Sequence, residues 1–489
     1  MGKMDELGAV SASWQGLRGW AVDQDFAIEF SEIAKLALPM VLTQIGQIAM
    51  MTTDLVFIGH ISAEAVAGTA LASRIYLVSF TFGAGLLAAI VPLVARAFGA
   101  DNLAVVRRAL RMGLWAALML SFPVMGAALR GEQILLAFGQ PPHAARLAQQ
   151  YLFGMAWGVA PALWFLAIRS FMSAVNRPGP VLWITVAAIP VNALLAYLFI
   201  FGKLGLPRLE LFGAGLATTL VNCATCLAGL WFATMRRPFR DYHVLAHLWR
   251  FDWPLMRQLI VIGAPISIVS LMGYGLVSAA ALLAGVISTS VLAAHYVAVQ
   301  VSATLLMIPS GISMAAAVRV SHAVGINDGP GIRRAGLVAM LLGIIITAML
   351  TLAVILARFE IAKLFLGKSG GDADATIGLA AKLLFVGAGF FGTDAVASIA
   401  SGSLRGLKDT WVPLLFAGIA YWPIGFSLSY VLSLKIGLAA TGIWMGLSIG
   451  TMVYASLLVV RFHLLTSRVI LQSRFLNRHH CSPPTGIQR

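Results

Sequence analysis

Charged residues are scarce in this chain of 489 residues, since Asp, Glu, Lys and Arg together make up 11% of it. Ordinary soluble domains contain about 25% of these residues. Hydrophobic residues make up 60%, and the mean hydropathy is +0.89. This composition excludes an ordinary soluble domain and indicates a polytopic membrane protein.

Cysteine is also rare, with three residues in the chain. Cys223 and Cys226 form a CxxC inside an apolar stretch, which we interpret as two buried thiols rather than a redox site, and no disulfide framework is indicated. The sequence contains no Walker A loop, HExxH, GxSxG or Cys/His cluster. We therefore expect no enzyme activity, no cofactor, no bound metal and no use of ATP.

No apolar run precedes Ile33, and the first 30 residues contain several acids. This pattern predicts no cleavable signal peptide and a cytoplasmic N-terminal segment over residues 1–32. Beyond it, twelve apolar segments are long enough to cross a hydrocarbon layer of about 30 Å. We place them near residues 33–59, 66–95, 110–130, 151–175, 180–201, 211–234, 256–285, 290–318, 335–356, 376–404, 411–432 and 438–462.

Basic residues are distributed unequally between the loops on the two sides of these segments. The side with both termini holds 23 of the 34 Lys and Arg residues, and the opposite side holds nine. The positive-inside rule then predicts a multi-pass protein of the bacterial inner membrane with both termini, including a tail over 463–489, in the cytoplasm. The basic, aromatic stretch 235–255 is predicted to be a cytoplasmic linker along the membrane surface rather than a nucleic-acid site.

The two halves of the chain align without gaps at an offset of 226 residues. The alignment pairs Pro39 with Pro265 and Gly85 with Gly311. Each half contains six segments, so both halves enter the membrane from the same side. We predict an all-α fold of twelve transmembrane helices in two lobes, residues 33–234 and 256–462, related by a parallel internal repeat and able to rock against each other.

Segment one contains a single charged residue between residues 36 and 58, Asp54. A carboxylate in the hydrocarbon layer costs about 2.5–3.5 kcal/mol on insertion scales, so it normally faces protein or a water-filled cavity. Asp54 shares a helical face with three residues at spacings of three and four, Gln44, Gln47 and Met51. Asp54 is either a coupling site or a structural acid in a hydrogen-bond network. The repeat aligns it with Ala280, so the second lobe does not copy it.

The second lobe has its own acid in segment ten, Asp394. Ser398, Ser401 and Arg405 follow it on one helical face at spacings of four, three and four. We interpret Asp394 as a second site for a proton or cation, because desolvation favours the neutral form of a buried carboxyl. The alternative is an acid neutralised by neighbouring hydroxyl and backbone groups.

Oxygen-bearing residues in segments five and six are candidates to complete the first-lobe site. Asn192 follows Pro190, and a proline within a helix frees a carbonyl in the preceding turn. Asp54, Asn192 and either Thr218 or Thr219 are expected to form an all-oxygen cluster. Ordinary interhelix hydrogen bonding is the alternative for Asn192. Arg74, inside segment two, either extends toward the membrane surface or pairs with Asp54.

Methionine and aromatic residues are frequent, with 19 Met, 26 Phe and 12 Trp, and flexible or aromatic side chains suit a pocket that accepts varied apolar cations. The candidate substrate-cavity residues are Gln47, Met51, Tyr274, Phe390 and Ser398. His295, in segment eight, is predicted to be a hydrogen-bonded core residue rather than a ligand.

Several stretches resemble the multidrug and toxic compound extrusion (MATE) family, bacterial NorM type, over residues 33–462. They include TDLVFIGHIS in segment one, IPVNALLAYLFIFGKLG in segment five and TDAVASIASGSLRGLKD in segment ten. The resemblance implies twelve helices in two lobes, H⁺- or Na⁺-coupled export of organic cations, and coupling roles for Asp54, Asn192 and Asp394. The chain departs from the family pattern at Gly273, where a glutamate is usual, and at Ala196.

The sequence therefore predicts a secondary antiporter that exports amphipathic organic cations, acts as a monomer in the bilayer and uses H⁺ in preference to Na⁺. Asp54, Asp394, Asn192 and Thr218 are the candidate coupling residues. The main alternative is a flippase or exporter of a lipid-linked or natural-product substrate on a similar fold, which would require a markedly basic cavity. Arg74 and Arg169 are the two intramembrane bases available for it.

Overall fold

A computed structural model describes the backbone of residues 2–203, 205, 207–237, 239–242, 248–366 and 371–480. Side chains are described within those ranges from residue 26 to residue 468, except at 371–373. Within these ranges the chain is almost entirely helical and contains no β-strand. Ten described helices are long and apolar enough to cross a membrane, and two bent helix pairs bring the number to twelve, as the sequence predicts.

Nine α-helices are described in the first lobe. They are α1 (Gly2–Gly59), α2 (Ala63–Leu87), α3 (Ile90–Gly99), α4 (Leu103–Leu129), α5 (Gly131–Ala137), α6 (Pro142–Ala156), α7 (Val159–Ala174), α8 (Gly179–Phe201) and α9 (Glu210–Met235). α2 and α3 together form one span, and α6 and α7 form another that is bent by 53°. These helices make up the predicted segments one to six.

The second lobe repeats this plan. Its helices are α10 (Trp253–Ile287), α11 (Thr289–Gly325), α12 (Gly329–Leu366), α13 (Gly371–Val386), α14 (Ala388–Gly406), α15 (Trp411–Ile419), α16 (Ser427–Tyr430) and α17 (Ala439–His480). α13 and α14 are bent by 42° within segment ten. Segment eleven contains two π-helical stretches, Ala420–Phe426 and Val431–Lys435, the first around Pro423, which lacks the N–H that a regular helix needs.

The helix caps show the internal repeat directly. At the start of α2, the hydroxyl oxygen of Ser62 accepts a hydrogen bond from the backbone N–H of Ala65. At the start of α11, 226 positions later, the hydroxyl oxygen of Ser288 accepts one from the backbone N–H of Val291. Asn102 caps α4 in this way, and its counterpart Asp328 caps α12. Because short polar side chains at these positions satisfy free N–H groups, the same helix starts are encoded twice, which confirms the parallel repeat.

Two helix boundaries differ from the sequence prediction. α1 begins at Gly2 rather than near residue 33, and α17 continues to His480 rather than ending near residue 462. Residues 2–32 and 463–480 contain no proline, so nothing in the backbone stops the helices where the apolar pattern ends. The spans therefore have polar helical extensions on the side where α1 begins and α17 ends, called here the terminal side.

Glycines bring the two lobes into contact at two places related by the repeat. A Cβ at Gly85 would lie 2.6 Å from the Cα of Ser267, whose hydroxyl donates to the carbonyl oxygen of Phe82 at 2.7 Å. A Cβ at Gly311 would lie 2.5 Å from the side chain of Val41. Gly311 is the repeat counterpart of Gly85, and Ser267 that of Val41. The lobe interface is therefore a pseudo-twofold contact that requires glycine at both positions.

Further contacts close the interface nearer the terminal side. Gly99 and Gly325, another repeat pair, each lie against backbone of the opposite lobe. The guanidinium of Arg319 donates to both carboxylate oxygens of Glu29, at 2.9 and 2.7 Å. Toward the opposite side, Met51 is 66% exposed and Tyr274 is 45% exposed. The lobes are thus sealed together on the terminal side, and toward the opposite side a cleft opens between Arg74 of α2 and residues of α10 and α11.

Candidate coupling and substrate site

The first-lobe acid lies where three helices converge. Asp54 of α1 is 7% exposed. Asn192 of α8 donates from Nδ2 to its Oδ1 at 2.6 Å, and the Thr218 hydroxyl of α9 lies 3.4 Å from its Oδ2. Thr219 instead donates to the carbonyl oxygen of Gly154 at 2.7 Å. Of the two threonines considered in the sequence, Thr218 is therefore the one that joins Asp54.

Tyr151 is a member of this cluster that the sequence did not indicate. Its ring is buried on α6, beside Thr218 and close enough to Asp54 to interact with its charge. Tyr151 is 97 residues from Asp54 in the chain, and no spacing rule connects it with segment one. Only the packing of α6 against α9 brings it to the site.

Arg74 does not pair with Asp54. Its side chain is exposed and lines a cavity of about 540 Å³ between the lobes, together with His295 and Tyr296 of α11. His295 is 1% exposed and packs against Trp444, with ring centroids 5.6 Å apart. Its two ring nitrogens have no hydrogen-bond partner among the described residues. His295 is a core residue as expected, but the expected hydrogen bond is missing.

The second-lobe acid has different neighbours. Asp394 lies in α14 next to the buried phenol groups of Tyr421 and Tyr454, whose ring centroids are 5.0 Å apart. Within the described part of the chain its carboxylate accepts no hydrogen bond and forms no ion pair. Tyr421 belongs to the first π-helical stretch of segment eleven, and local π-helix often occurs at functional sites. The sequence did not indicate either tyrosine.

The predicted polar face of segment ten is only partly available to a ligand. Arg405 donates to the hydroxyl of Ser401, its neighbour one turn earlier, at 3.3 and 3.4 Å. The carbonyl oxygen of Ser398 accepts a hydrogen bond from the hydroxyl of Ser313 in α11 at 2.6 Å. This face therefore fastens α14 to α11 inside the second lobe.

The other candidate cavity residues divide into two groups. Gln47, Met51 and Tyr274 are exposed on the faces of α1 and α10 beyond the lobe seal. Phe390 is 6% exposed and packs edge-on against Trp444, with centroids 5.6 Å apart. The structure thus places Phe390 in the core of the second lobe, against Trp444 of α17, rather than on the wall of the cleft.

Gly273, where the resemblance described above implies a glutamate, leaves open space in the second lobe. The nearest atom to a Cβ at this position is Cε2 of Tyr421, at 4.0 Å. A longer side chain at residue 273 would therefore extend toward the Tyr421 ring beside Asp394. In this chain the space is unfilled, and Asp394 stands without a second carboxylate on α10.

The two carboxyl groups share one electrostatic property: among the described residues, neither has an Arg or Lys within ion-pair distance. Nor do any three His, Cys, Asp or Glu side chains in the described ranges converge to hold a metal ion. A buried acid without a fixed counter-ion can release and take up a proton or a monovalent cation as its surroundings change.

A two-lobed helical bundle with one intramembrane acid in each lobe and a cleft between the lobes is the architecture of a secondary transporter. The MatE family model matches residues 39–198 and 265–431. The chain belongs to the MatE family and is a multi-pass membrane protein.

Relatives and solved structures agree with this assignment. The chain is 59% identical over 444 residues to a protein of Bradyrhizobium diazoefficiens named probable multidrug resistance protein NorM, covering 91% of this chain and 95% of that one. It is 51% identical to the protein of the same name from Rhodopseudomonas palustris, covering 90% and 92%. A solved outward-facing multidrug resistance MATE transporter superimposes with a TM-score of 0.81 at 18% identity, covering 90% and 96%.

Proposed function

We propose that the protein is a multidrug efflux antiporter that exports amphipathic organic cations in exchange for a coupling ion. The observation that carries this proposal is the Asp54 cluster, a buried carboxylate held by Asn192 and Thr218 of two other spans. A carboxylate inside the hydrocarbon layer costs several kcal/mol, which an acid with a purely structural role does not repay. An acid that couples transport must be buried, because it has to bind its ion with different affinity in the two arrangements of the lobes. The names of the bacterial relatives support the drug-export part.

Transport proceeds by alternating access in this proposal. The lobes are in contact on the terminal side and separated on the opposite side, so a substrate in the cleft faces the opposite side. Opening the terminal side breaks the Glu29–Arg319 ion pair and the two glycine contacts of Gly85 and Gly311. The export direction requires the terminal side to be the cytoplasm, as the excess of basic residues there predicts.

We favour H⁺ over Na⁺ as the coupling ion. Asp54 receives an amide N–H from Asn192 and lies near the Thr218 hydroxyl, and an N–H group that points at the carboxylate cannot serve as a sodium ligand. A sodium ion needs several oxygen ligands directed at one point. Gly273 further removes the carboxylate that would join Asp394 in the second lobe. A proton needs only one carboxylate oxygen.

Export of a lipid-linked anion has less support. Such a substrate needs a basic cavity for its phosphate groups. Arg74 and Arg169, the two intramembrane bases, lie on different helices and in different surroundings, since Arg74 faces the outer part of the lobe interface and Arg169 contacts Gln44. The described residues therefore form no continuous basic surface in the cleft.

The proposal is tested by ethidium efflux from cells of an efflux-deficient bacterium. Cells that express the wild-type protein should expel preloaded ethidium when energised. A double variant, Asp54→Asn with Asp394→Asn, should reach the membrane in equal amount and expel no more than cells with an empty vector. Equal efflux by the wild-type protein and the double variant would show that these acids are only structural.

A further inference from the structure

A groove on the surface of the second lobe lies apart from the cleft between the lobes. It has a volume of about 920 Å³ and is lined by residues of α12, α14 and α17, whereas the cleft opens between Arg74 of α2 and residues of α10 and α11. Its lining includes four large apolar side chains that are exposed: Ile344, Leu352, Met452 and Val460. Because exposed apolar side chains on a membrane span contact lipid chains, the groove opens to the bilayer.

The centre of the groove is far from both ends of α12. Thr347 is 18 residues after the first residue of this helix, which is about 27 Å along the axis, and Thr351 is 15 residues before the last, about 22 Å. The polar groups of phospholipids lie at the two borders of a hydrocarbon layer about 30 Å thick. A phospholipid therefore brings only its acyl chains, which have no polar atom, to this part of the groove.

Two hydroxyl groups in the groove lack the partner that a threonine in a helix commonly has. Such a threonine can donate to a carbonyl oxygen one turn earlier, as Thr393 in the same groove does to Gly389 at 2.9 Å. Thr347 and Thr351 are 3% and 9% exposed, and their hydroxyls have no hydrogen-bond partner among the described residues. Since a buried hydroxyl without a partner costs free energy, these two groups point to a ligand that supplies an acceptor.

We propose that the groove binds an uncharged, lipid-soluble carbonyl compound that enters from the hydrocarbon layer. Thr347 and Thr351 are four residues apart, on one face of α12, and a carbonyl oxygen has two lone pairs with which to accept from both hydroxyls. No lining residue is charged, which disfavours an ionised ligand at this depth. Apolar walls, a few polar groups and a volume of about 300–1,000 Å³ are typical of sites for small molecules.

The wall that α14 contributes is made of small residues. Ala388, Gly389 and Gly392 line the groove, and a Cβ at Gly392 would meet no atom within 4 Å, so a ligand can approach the backbone of α14 there. Thr393 also lines the groove and directly precedes Asp394. A ligand in the groove therefore contacts the helix that carries the second-lobe acid.

A matched pair of photoreactive probes tests the inference: a long-chain ketone that carries a diazirine, and the alkane of the same length with the same diazirine. Each probe is added to proteoliposomes that contain the purified protein and is cross-linked by light, and the labelled residues are identified by mass spectrometry. The result is the ratio of ketone labelling to alkane labelling on the groove residues of α12, α14 and α17. This ratio should be about three or more in the wild-type protein, because only the ketone accepts hydrogen bonds.

Removal of the two hydroxyls should abolish this preference. In the double variant Thr347→Val with Thr351→Val, valine keeps the shape of each side chain, so both probes still fit and the ratio should fall to about one. Thr185→Val is the control, because Thr185 is a buried threonine of the first lobe whose hydroxyl donates to the carbonyl oxygen of Val181 at 2.9 Å. It should leave the ratio unchanged.

Gly392→Leu provides a second, independent variant. The leucine side chain would extend into the open space beside α14 and occupy the groove, so labelling of the groove by both probes should fall. Gly126→Leu is the matched control, since a Cβ at Gly126 in the first lobe also meets no atom within 4 Å, and it should leave the labelling unchanged. If the double threonine variant does not fold, Gly392→Leu still shows whether the ketone preferred by the wild-type protein lies in the groove.

Four results would overturn the inference. The first is equal labelling of the groove by ketone and alkane in the wild-type protein, which would show that the groove holds only acyl chains. The second is an unchanged ratio in the double threonine variant. The third is an equal fall of the ratio in Thr185→Val, and the fourth is undiminished ketone labelling of the groove in Gly392→Leu. None of these measurements requires transport, so their outcome is independent of the proposed export function.

Discussion

Asn192 Nδ2 lies 2.6 Å from Asp54 Oδ1, although the two residues are 138 positions apart in the chain. This hydrogen bond fastens α1 to α8, and it is strongest while Asp54 is ionised, because charge-assisted hydrogen bonds are about twice as strong as neutral ones. Protonation of Asp54 therefore weakens the contact between the two helices. In the proposed mechanism, protonation of Asp54 would change the packing of α1, which also carries part of the lobe seal at Val41.

Asp54→Asn should abolish efflux driven by a pH gradient, because asparagine keeps the size of the side chain and cannot take up a proton. Gln47→Ala, at an exposed position two turns earlier on the same helix face, should reduce the efflux rate by only about threefold, since neutral hydrogen bonds contribute about 0.5–1.5 kcal/mol. The measurement is the initial rate of ethidium efflux at a series of external pH values. A pH-dependent rate in Asp54→Asn equal to that of the wild type would contradict the coupling role.

Asp394→Asn should also abolish coupled export while the protein stays folded. The carboxylate accepts no hydrogen bond among the described residues, so the substitution takes no hydrogen bond away from another described residue, and the melting temperature of the purified protein should change little. Two measurements test this prediction: thermal unfolding of the purified variant in detergent, and growth of cells that express the variant in the presence of ethidium. Wild-type resistance in cells that express Asp394→Asn would show that Asp394 is only structural.

Gly85→Ala should shift the lobes away from the sealed arrangement, because the new Cβ would lie 2.6 Å from the backbone of Ser267 and that backbone cannot yield easily. The shift can be followed by the distance between spin labels on the two lobes at the terminal side, which should increase. Gly126→Ala is the control, since nothing lies within 4 Å of a Cβ there. Equal distances in Gly85→Ala and wild type would argue against this contact as part of the seal.

The sequence was informative wherever the signal is local or repeated. The apolar runs, the internal repeat at an offset of 226 residues and the lone acid Asp54 can all be read directly, because they depend on composition and fixed spacings. The partners of those residues could not be read in the same way. Tyr151 and Tyr421 reach the two acids only through the packing of distant helices, and Tyr421 also depends on a local π-helix.

The Glu29–Arg319 ion pair illustrates the same limit. Glu29 belongs to a stretch that the apolar pattern assigns to a segment outside the membrane span, and only the continuation of α1 as a helix brings it to Arg319. Phe390 is a similar case, since its burial depends on Trp444 of α17, which is distant in the chain and which residue spacing does not connect with it. Helix continuity and helix bending are results of packing, which the sequence pattern does not determine.

The predicted orientation can be checked by labelling single cysteines with a reagent that does not cross membranes. Cysteines introduced at 203–210 and 366–374 should react in intact cells, and cysteines at 240–250 should react only after the membrane is opened. Residues 204, 206, 243–247 and 367–370 lie outside the described residues, so positions 208, 366 and 250 are the preferred sites. Reaction of 250 but not of 208 in intact cells would reverse the topology.

Proton-coupled export is tested by transport with the purified protein in proteoliposomes, with a pH gradient and a sodium gradient imposed separately. We predict that an inwardly directed proton gradient at constant Na⁺ drives export of ethidium, that Asp54→Asn abolishes this export, and that a sodium gradient at constant pH has little effect. Export that follows only the sodium gradient would contradict H⁺ coupling. No response to either gradient would contradict the antiport function.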